Sequence, residues 1–242
     1  TDTVPYDDKR WQSDPFTLTE RDDRLYGLGT CDMKGFFALA IEAARQAAQQ
    51  PLKQPLIILA TADEESSMNG ARALAEAGYP KARYAVIGEP TTLKPIRMHK
   101  GIMMERLVFE GQSGHSSDPS LGRNALEGMN EAMNELLALR NGWQEKHRNP
   151  HFRVQHPTMN LGCIHGGDNP NRICARCELH FDLRPLPGMD MAELRQAILD
   201  RLQPVASRRD LSLVFEPLFD GVPPFETPAE AELVRVCEKL TG

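Results

Sequence analysis

The sequence has 242 residues, 40% of them hydrophobic and 26% charged, which is typical of a folded globular protein and too apolar for a disordered one. The 34 acidic residues outnumber the 28 basic ones, and the net charge of −6 argues against nucleic-acid or anionic-membrane partners. Neither a run of ~20 apolar residues nor a secretory signal pattern is found, so we expect a cytoplasmic protein without membrane contacts.

The first part of the chain alternates helical patterns with short apolar runs. Residues 33–50 are rich in Ala and stop before Pro51, which predicts a helix, and residues 70–77 predict a second one. The apolar runs at 55–61 and 85–88 have the character of buried strands. This alternation predicts an α/β fold with an open, mostly parallel sheet and helices on both faces.

The pattern changes near residue 98. Strands are predicted at 105–111, 158–164, 173–183 and 211–215, and helices at 124–139 and at 191–202, the latter ending before Pro204. The order β-α-β-β-α-β is that of a ferredoxin-like unit, which is complete in itself. We therefore predict a ferredoxin-like domain at 98–217, inserted into a catalytic domain formed by 1–97 and 218–242.

Acidic residues stand in loops and after the predicted strands of the first domain. They are Asp2, Asp32, Asp63, Glu64, Glu65 and Glu89. The carboxyl ends of parallel strands meet at one sheet edge, so these carboxylates would converge there and need a cation to offset their repulsion. Oxygen and nitrogen ligands with few sulfurs suit zinc, cobalt or manganese.

The spacing alone also leaves simpler roles open for these acidic residues. Asp32 is placed to cap the following helix, and Glu64 and Glu65 are placed to complement the dipole of the helix near Gly70. Glu89, which precedes a proline, has the position of an ordinary turn carboxylate. A metal site and these structural roles are thus both compatible with the pattern.

One of the seven histidines stands in a distinctive setting. His115 lies in Gly-Gln-Ser-Gly-His-Ser-Ser-Asp-Pro, a turn of small residues that follows a predicted strand. Small neighbours leave an imidazole exposed, as a residue that reaches a ligand must be. No two histidines have the H-x-x-x-H spacing on a predicted helix, so the zinc-binding pattern of zincins is not found.

Five motifs in this order are typical of the M20 metallopeptidase family, which the chain resembles over essentially its whole length. They are Thr1-Asp2-Thr-Val-Pro, Gly29-Thr-Cys-Asp32-Met-Lys-Gly35, Ala62-Asp63-Glu64-Glu65, Ile87-Gly-Glu89-Pro90 and Ser113-Gly-His115-Ser. Within the family, residues 114–119, 166–173 and 182–188 most resemble the acetylornithine deacetylases. The resemblance implies a metal-dependent amide hydrolase that converts N²-acetyl-L-ornithine to L-ornithine and acetate in arginine biosynthesis.

The resemblance also implies a site for two divalent metal ions, zinc or cobalt. Asp32 would bridge the two ions, and Glu65 and Glu89 would each add a carboxylate to one of them. Glu64 would be the general base, and Asp2 would orient the metal-binding histidine that stands two positions before it in the family.

The inserted domain would then be a lid that also holds a homodimer together. His115 would reach into the active site of the neighbouring subunit and stabilise the oxyanion of the tetrahedral intermediate. Asn171, Arg184 and Lys100 would contact the substrate, a small N-acylated amino acid.

Two alternatives remain open. Another M20 deacylase, such as a succinyl-diaminopimelate desuccinylase or an aminoacylase, would use the same chemistry with a different substrate pocket. A non-catalytic dimerisation or binding fragment is the second, since the family's two histidine ligands would stand just before Thr1 and beyond Gly242. We expect the sequence to be a fragment of a longer enzyme, and this chain alone to bind metal poorly and to be inactive.

Overall fold

Five α-helices, eight strands and two short 3₁₀ turns form the regular structure of residues 2–242, the part that this computed structural model describes. The helices are α1 (Lys34–Ala47), α2 (Asn69–Ala77), α3 (Ala125–Lys146), α4 (Met191–Arg208) and α5 (Glu232–Thr241). The strands are β1 (Thr19–Arg21), β2 (Arg24–Tyr26), β3 (Met98–His99), β4 (Met103–Glu110), β5 (Thr158–Gly166), β6 (Arg176–Arg184), β7 (Ser212–Pro217) and β8 (Phe225–Glu226). Not one of the described helices is long and apolar enough to cross a membrane.

The chain divides into two units. Unit 1 comprises the residues up to Pro95 together with Arg235–Gly242, and unit 2 comprises Ile96–Val234. The predicted inserted domain, 98–217, falls inside unit 2. Unit 2 also includes residues 218–234, which the sequence pattern assigned to the catalytic domain.

A four-stranded sheet forms the centre of unit 2. Its strand order is β5-β6-β4-β7, and every neighbouring pair is antiparallel. Helix α3 connects β4 to β5, and α4 connects β6 to β7, so the predicted β-α-β-β-α-β order is confirmed. Helices α3 and α4 pack against the sheet and against each other, and the core lies between these layers.

Strand alternation and helix caps explain how this core forms. In β6, Cys177, Leu179, Phe181 and Leu183 are buried while the residues between them are not, because successive side chains point to opposite faces. Helix α3 begins where the Asn124 side chain accepts hydrogen bonds from the first-turn amides, and Asp190 caps α4 in the same way. Both starting points place an apolar helix face on the sheet.

Helix α4 is longer than predicted, and the expected end at Pro204 is wrong. The helix continues to Arg208 with Pro204 inside it. Proline removes one backbone donor, but the next two residues, Val205 and Ala206, are each 1% exposed. The burial of this last turn offsets the missing hydrogen bond.

Unit 1 contains both predicted helices, so the α/β class is confirmed, but its predicted sheet is not formed. Residues 55–61 and 85–88 pair with no strand among the residues described, where every strand pairing is antiparallel. Ile57 and Ile87 remain 45% and 76% exposed. A buried strand needs partners on its edges and layers over its faces, and the described residues of unit 1 supply neither. A hairpin of β1 and β2 precedes α1.

The central strand β4 provides a test of this core. Replacing the fully buried Phe109 by Ala is expected to lower the free energy of unfolding of unit 2 by about 3–5 kcal/mol, because a cavity remains. Met104→Ala on the same strand, where the side chain is 38% exposed, should cost less than about 1 kcal/mol. Urea unfolding followed by Trp143 fluorescence, in a Trp11→Phe background, measures both; equal losses would contradict this core assignment.

Candidate active site

Carboxylates from separate segments of unit 1 lie within electrostatic reach of one another. Desolvation, followed by the negative charges of Asp32 and Glu64, raises the pKa of Glu89, which also forms a side-chain hydrogen bond with Asp32. Desolvation and then Asp32, Glu64 and Asp2 raise the pKa of Glu65. The predicted convergence of these acidic side chains is therefore present, although the parallel sheet that was expected to cause it is not.

Asp2 holds the turn that carries Glu64 and Glu65. The backbone N–H of Glu64 donates to Asp2 Oδ1 at 2.9 Å, and the N–H of Glu65 donates to Oδ2 at 3.3 Å. Desolvation acts to raise the pKa of Asp2, but backbone hydrogen bonds, including these two, outweigh it and lower the pKa. In addition, Lys34 Nζ donates to the Asp2 carbonyl oxygen at 2.9 Å and joins this segment to α1.

The turn itself is formed by Asp63. Its φ of 60° reverses the chain, and its carbonyl oxygen accepts hydrogen bonds from the amides of Ser66, Ser67 and Met68. This conformation leaves the side chains of Glu64 and Glu65 on the outside of the turn, where both are exposed. They are free to face Asp32 and Glu89 rather than the helix that follows.

The structure does not show the simpler roles of helix cap, helix-dipole partner and turn carboxylate for these acidic residues. Helix α1 begins after Met33 and receives no side-chain capping hydrogen bond, so Asp32 is not its cap. The first turn of α2 contains no acidic residue, so Glu64 and Glu65 lie outside it. Glu89 does not act only as a turn carboxylate, because its carboxyl group forms a hydrogen bond with that of Asp32.

The donor types fit a divalent metal ion, but the side-chain arrangement does not form a closed coordination group. Carboxylate oxygens bind divalent cations, and a cation would offset the repulsion that helps to raise the pKa of Glu65 and Glu89. Within residues 2–242, however, no three His, Cys, Asp or Glu side chains are grouped so that they could hold one ion. The chemistry of the carboxylates thus supports a metal site, and their present spacing does not complete it.

His115 lies in unit 2, in the loop that follows β4. The backbone N–H of Ser117 donates to His115 Nδ1 at 3.2 Å, and Ser117 Oγ lies 2.8 Å from the same nitrogen. Because Nδ1 accepts a hydrogen bond, the proton of the neutral ring is on Nε2. The exposed His115 therefore presents a hydrogen-bond donor to its surroundings.

Asn171 stands next to His115. The N–H of Ser116 donates to the Asn171 carbonyl oxygen at 3.0 Å, and His115 forms an isolated antiparallel bridge with Arg172. The loop before β6 is thereby joined to the loop after β4. Two of the predicted site residues are brought together in this way.

Lys100 and Arg184 lie at the opposite end of the sheet. Lys100 precedes β4, Arg184 ends β6, and the adjacent residues Gly101 and Pro185 share a backbone hydrogen bond of 2.9 Å. His115 follows β4 and Asn171 precedes β6, so the eight residues of β4, about 26 Å, separate the two pairs. One copy of unit 2 does not bring its four predicted substrate and oxyanion residues together.

Both cations at that end already have partners within the chain. Lys100 Nζ donates to the His156 carbonyl oxygen at 2.6 Å, and desolvation lowers the pKa of Lys100. Arg184 Nε donates to the Asp182 carboxylate at 2.9 Å. These contacts fix the positions of the two positive charges.

Comparison with known proteins shows which proteins this chain resembles. The model of the M20 peptidase dimerisation domain matches residues 97–210, which contain β4, α3, β5, β6 and α4. Over all 242 residues the chain is 53% identical to an acetylornithine deacetylase from Pectobacterium carotovorum and 52% identical to one from Erwinia tasmaniensis. Residues 97–210 are thus similar to the M20 peptidase dimerisation domain, and the whole chain is similar to acetylornithine deacetylases.

The chain spans 63% of the length of these two M20 relatives. Aminopeptidase PepT from Bacillus cereus has a similar fold, with a TM-score of 0.63 and 18% identity over 93% of this chain and 60% of its own. The resemblance inferred from the five sequence motifs is thus confirmed. The roles of the individual residues stay predictions.

Two contacts of the site were not predicted from the sequence. Nothing in the pattern pairs Asp2 with amides more than sixty residues later, because only the folded chain joins them. The contact of His115 with Ser117 has a local signal, since a serine two residues away commonly bonds to the preceding turn.

The raised pKa of Glu89 predicts a pH-dependent stability. A carboxyl group whose pKa is raised by folding stabilises the fold while it is protonated, and this contribution is lost as the pH rises through the raised pKa. Glu89→Gln mimics the protonated form, so it should raise the free energy of unfolding of unit 1 near pH 7 by less than about 1 kcal/mol, because the site is solvent-exposed. The gain should vanish below the ordinary pKa of glutamate.

Urea unfolding at several pH values measures this effect through Trp11 fluorescence in a Trp143→Phe background. Glu76→Gln on the exposed face of α2 is the matched control and should give no pH-dependent difference. If Glu89→Gln raised the free energy of unfolding by the same amount at every pH, this would contradict the proposed repulsion between the Glu89 carboxylate and its acidic neighbours.

Proposed function

We propose that this chain is part of a metal-dependent hydrolase that cleaves N²-acetyl-L-ornithine to L-ornithine and acetate. The observation that carries the proposal is the identity of 52–53% to acetylornithine deacetylases along all 242 residues. The gathered carboxylates of unit 1 supply the chemistry that such a reaction needs. With this specificity, the enzyme would act in arginine biosynthesis, in the cytoplasm.

The metal ions would be held by Asp32, Glu65 and Glu89. Two divalent ions, zinc or cobalt, supply Lewis acidity when bound, which lowers the pKa of water from 15.7 to about 7. The three carboxylates would balance the positive charge, and the negative charge of Asp32, which contributes to the raised pKa of both Glu65 and Glu89, supports its place beside them.

Glu64 would move the proton. Its carboxylate takes a proton from the attacking water, whose oxygen forms a bond to the amide carbonyl carbon. Glu64 then returns the proton to the leaving nitrogen as the C–N bond breaks, which gives acetate and the free amine. The Asp2 carboxylate fixes the backbone of Glu64 and so holds this base in position.

His115 would stabilise the oxyanion in the site of a second copy of the chain. Its Nε2–H is the available donor, and the match to the M20 peptidase dimerisation domain supports a homodimer. Lys100 and Arg184 lie at the far end of the same sheet, so a site that uses all these groups takes its His115 and Asn171 from the partner copy. Such donors contribute about 2.7–4 kcal/mol to transition-state stabilisation.

Metal-dependent release of acetate from N²-acetyl-L-ornithine tests the reaction. The 242-residue chain is assayed beside a version extended at both ends with the corresponding residues of the Pectobacterium relative. We expect zinc or cobalt to be required and Glu64→Gln to lower kcat by at least about a hundredfold, since the proton acceptor is lost. Glu76→Gln is the matched control.

The extended chain decides the outcome of this assay. Hydrolysis of succinyl-diaminopimelate in place of N²-acetyl-L-ornithine would contradict the acetyl specificity. Failure of both substrates to react would contradict the hydrolase. A fully active Glu64→Gln variant would show that Glu64 has no role in the reaction.

Subunit mixing tests the role of His115. A His115→Ala chain and a Glu64→Ala chain are each expected to be inactive, whereas a mixed dimer contains one site with both groups intact. Up to about a quarter of the original activity should therefore return after the two chains are unfolded and refolded together. Subunits that demonstrably exchange without any recovery of activity would refute catalysis across the dimer.

A further inference from the structure

A cavity of about 360 Å³ opens in unit 2 beside the His115 loop. None of the site residues predicted from the sequence lines it. Its walls include Ser113 from the loop after β4, and Asp168, Arg172 and Arg176 from the chain leading into β6. It therefore adds charged groups to a region that already contains His115 and Asn171.

The charged groups of this cavity are not equivalent. Arg176 is directed to carboxylates of the sheet, since it forms ion pairs with Glu178 and, at 3.8 Å, with Glu110. Arg172 instead pairs with Asp168, four residues earlier in the same loop, and both side chains are about half exposed. The cavity thus presents one adjacent pair of opposite charges to a ligand.

The backbone holds this pair next to His115. The N–H of Arg172 donates to the Asn169 carbonyl oxygen at 3.1 Å, and the N–H of Ile173 donates to the Gly114 carbonyl oxygen at 2.8 Å. His115 and Arg172 are directly opposite one another in their antiparallel bridge. A substrate whose amide carbonyl reaches His115 therefore extends toward the pair.

We propose that Asp168 and Arg172 determine the substrate specificity of the site, with Arg172 binding the carboxylate of an N-acyl amino acid and Asp168 binding an ammonium group on its side chain. This inference rests on the proposed function and deepens it. The ligand class is an N-acylated diamino acid, which carries both charges.

An exchange of partners explains the discrimination. When such a ligand binds, its carboxylate replaces Asp168 beside Arg172, and its ammonium replaces Arg172 beside Asp168, so every charge keeps an opposite neighbour. A ligand with an apolar side chain satisfies Arg172 but leaves Asp168 without a partner. A bound ligand covers the half-exposed pair and displaces water from it, so an Asp168 left without a partner then costs binding energy, and this cost favours the diamino acid.

Two ligands separate these contributions. N²-acetyl-L-ornithine carries the side-chain ammonium, and N-acetyl-L-norleucine has the same shape with a methyl group in its place. Calorimetric titration of the 242-residue chain should show tighter binding of the ornithine ligand. Asp168→Asn should raise the Kd of that ligand about tenfold and leave the Kd of the norleucine ligand unchanged. Arg172→Gln should weaken both ligands by similar factors, because both carry the carboxylate.

Glu135→Gln is the matched control, because Glu135 forms a partly exposed ion pair with Arg201 between helices α3 and α4. It should change neither Kd. The inference is overturned if Asp168→Asn weakens both ligands equally or neither of them, or if the unmodified chain has no preference for the ornithine ligand. Charge-selective binding by the 242-residue chain, together with no acetate release by the version extended at both ends, would support this inference while refuting the proposed hydrolysis.

Discussion

Repulsion among carboxylates is the constraint on which the site of unit 1 depends. Desolvation, and then the negative charge of Asp32, raise the pKa of both Glu65 and Glu89, so the fold loses stability to keep these carboxylates together. Backbone hydrogen bonds to Asp2 oppose this cost by fixing the turn at Glu64. A local loss of stability of this kind is characteristic of a functional site, where side chains are arranged for chemistry rather than for packing.

Unit 2 differs from unit 1 because it carries exposed polar groups on a rigid framework of strands and helices. Its sheet and two helices bury a continuous apolar core, while the loops at the two sheet ends carry His115 and Lys100. The length of β4 then fixes their separation, because a strand cannot bend its ends together. In the proposed enzyme this rigidity makes the second copy of the chain necessary for a complete site.

The elements of unit 2 were predicted well from the sequence, because the patterns that define them lie within each element. Side-chain alternation in β6 and the caps at Asn124 and Asp190 define the elements without help from distant residues. The predicted end of α4 at Pro204 was wrong, because the burial of the residues that follow Pro204 outweighs one lost hydrogen bond. In unit 1 the carboxylate cluster was predicted from acidic residues in loops and after apolar runs. Its contacts with Asp2 and the failure of those runs to pair depend on long-range geometry, which no local pattern contains.

Those unpaired runs have a consequence for how the chain behaves in solution. Residues 55–61 combine high β-propensity with low charge, and Ile57, Ile58 and Leu59 are each at least 41% exposed. An exposed apolar segment of this kind forms hydrogen bonds with a strand that it meets, including the same segment of another molecule. Concentrated samples of this chain are therefore prone to assemble through unit 1, independently of any dimer formed by unit 2, and charged substitutions flanking Leu56 would oppose that assembly.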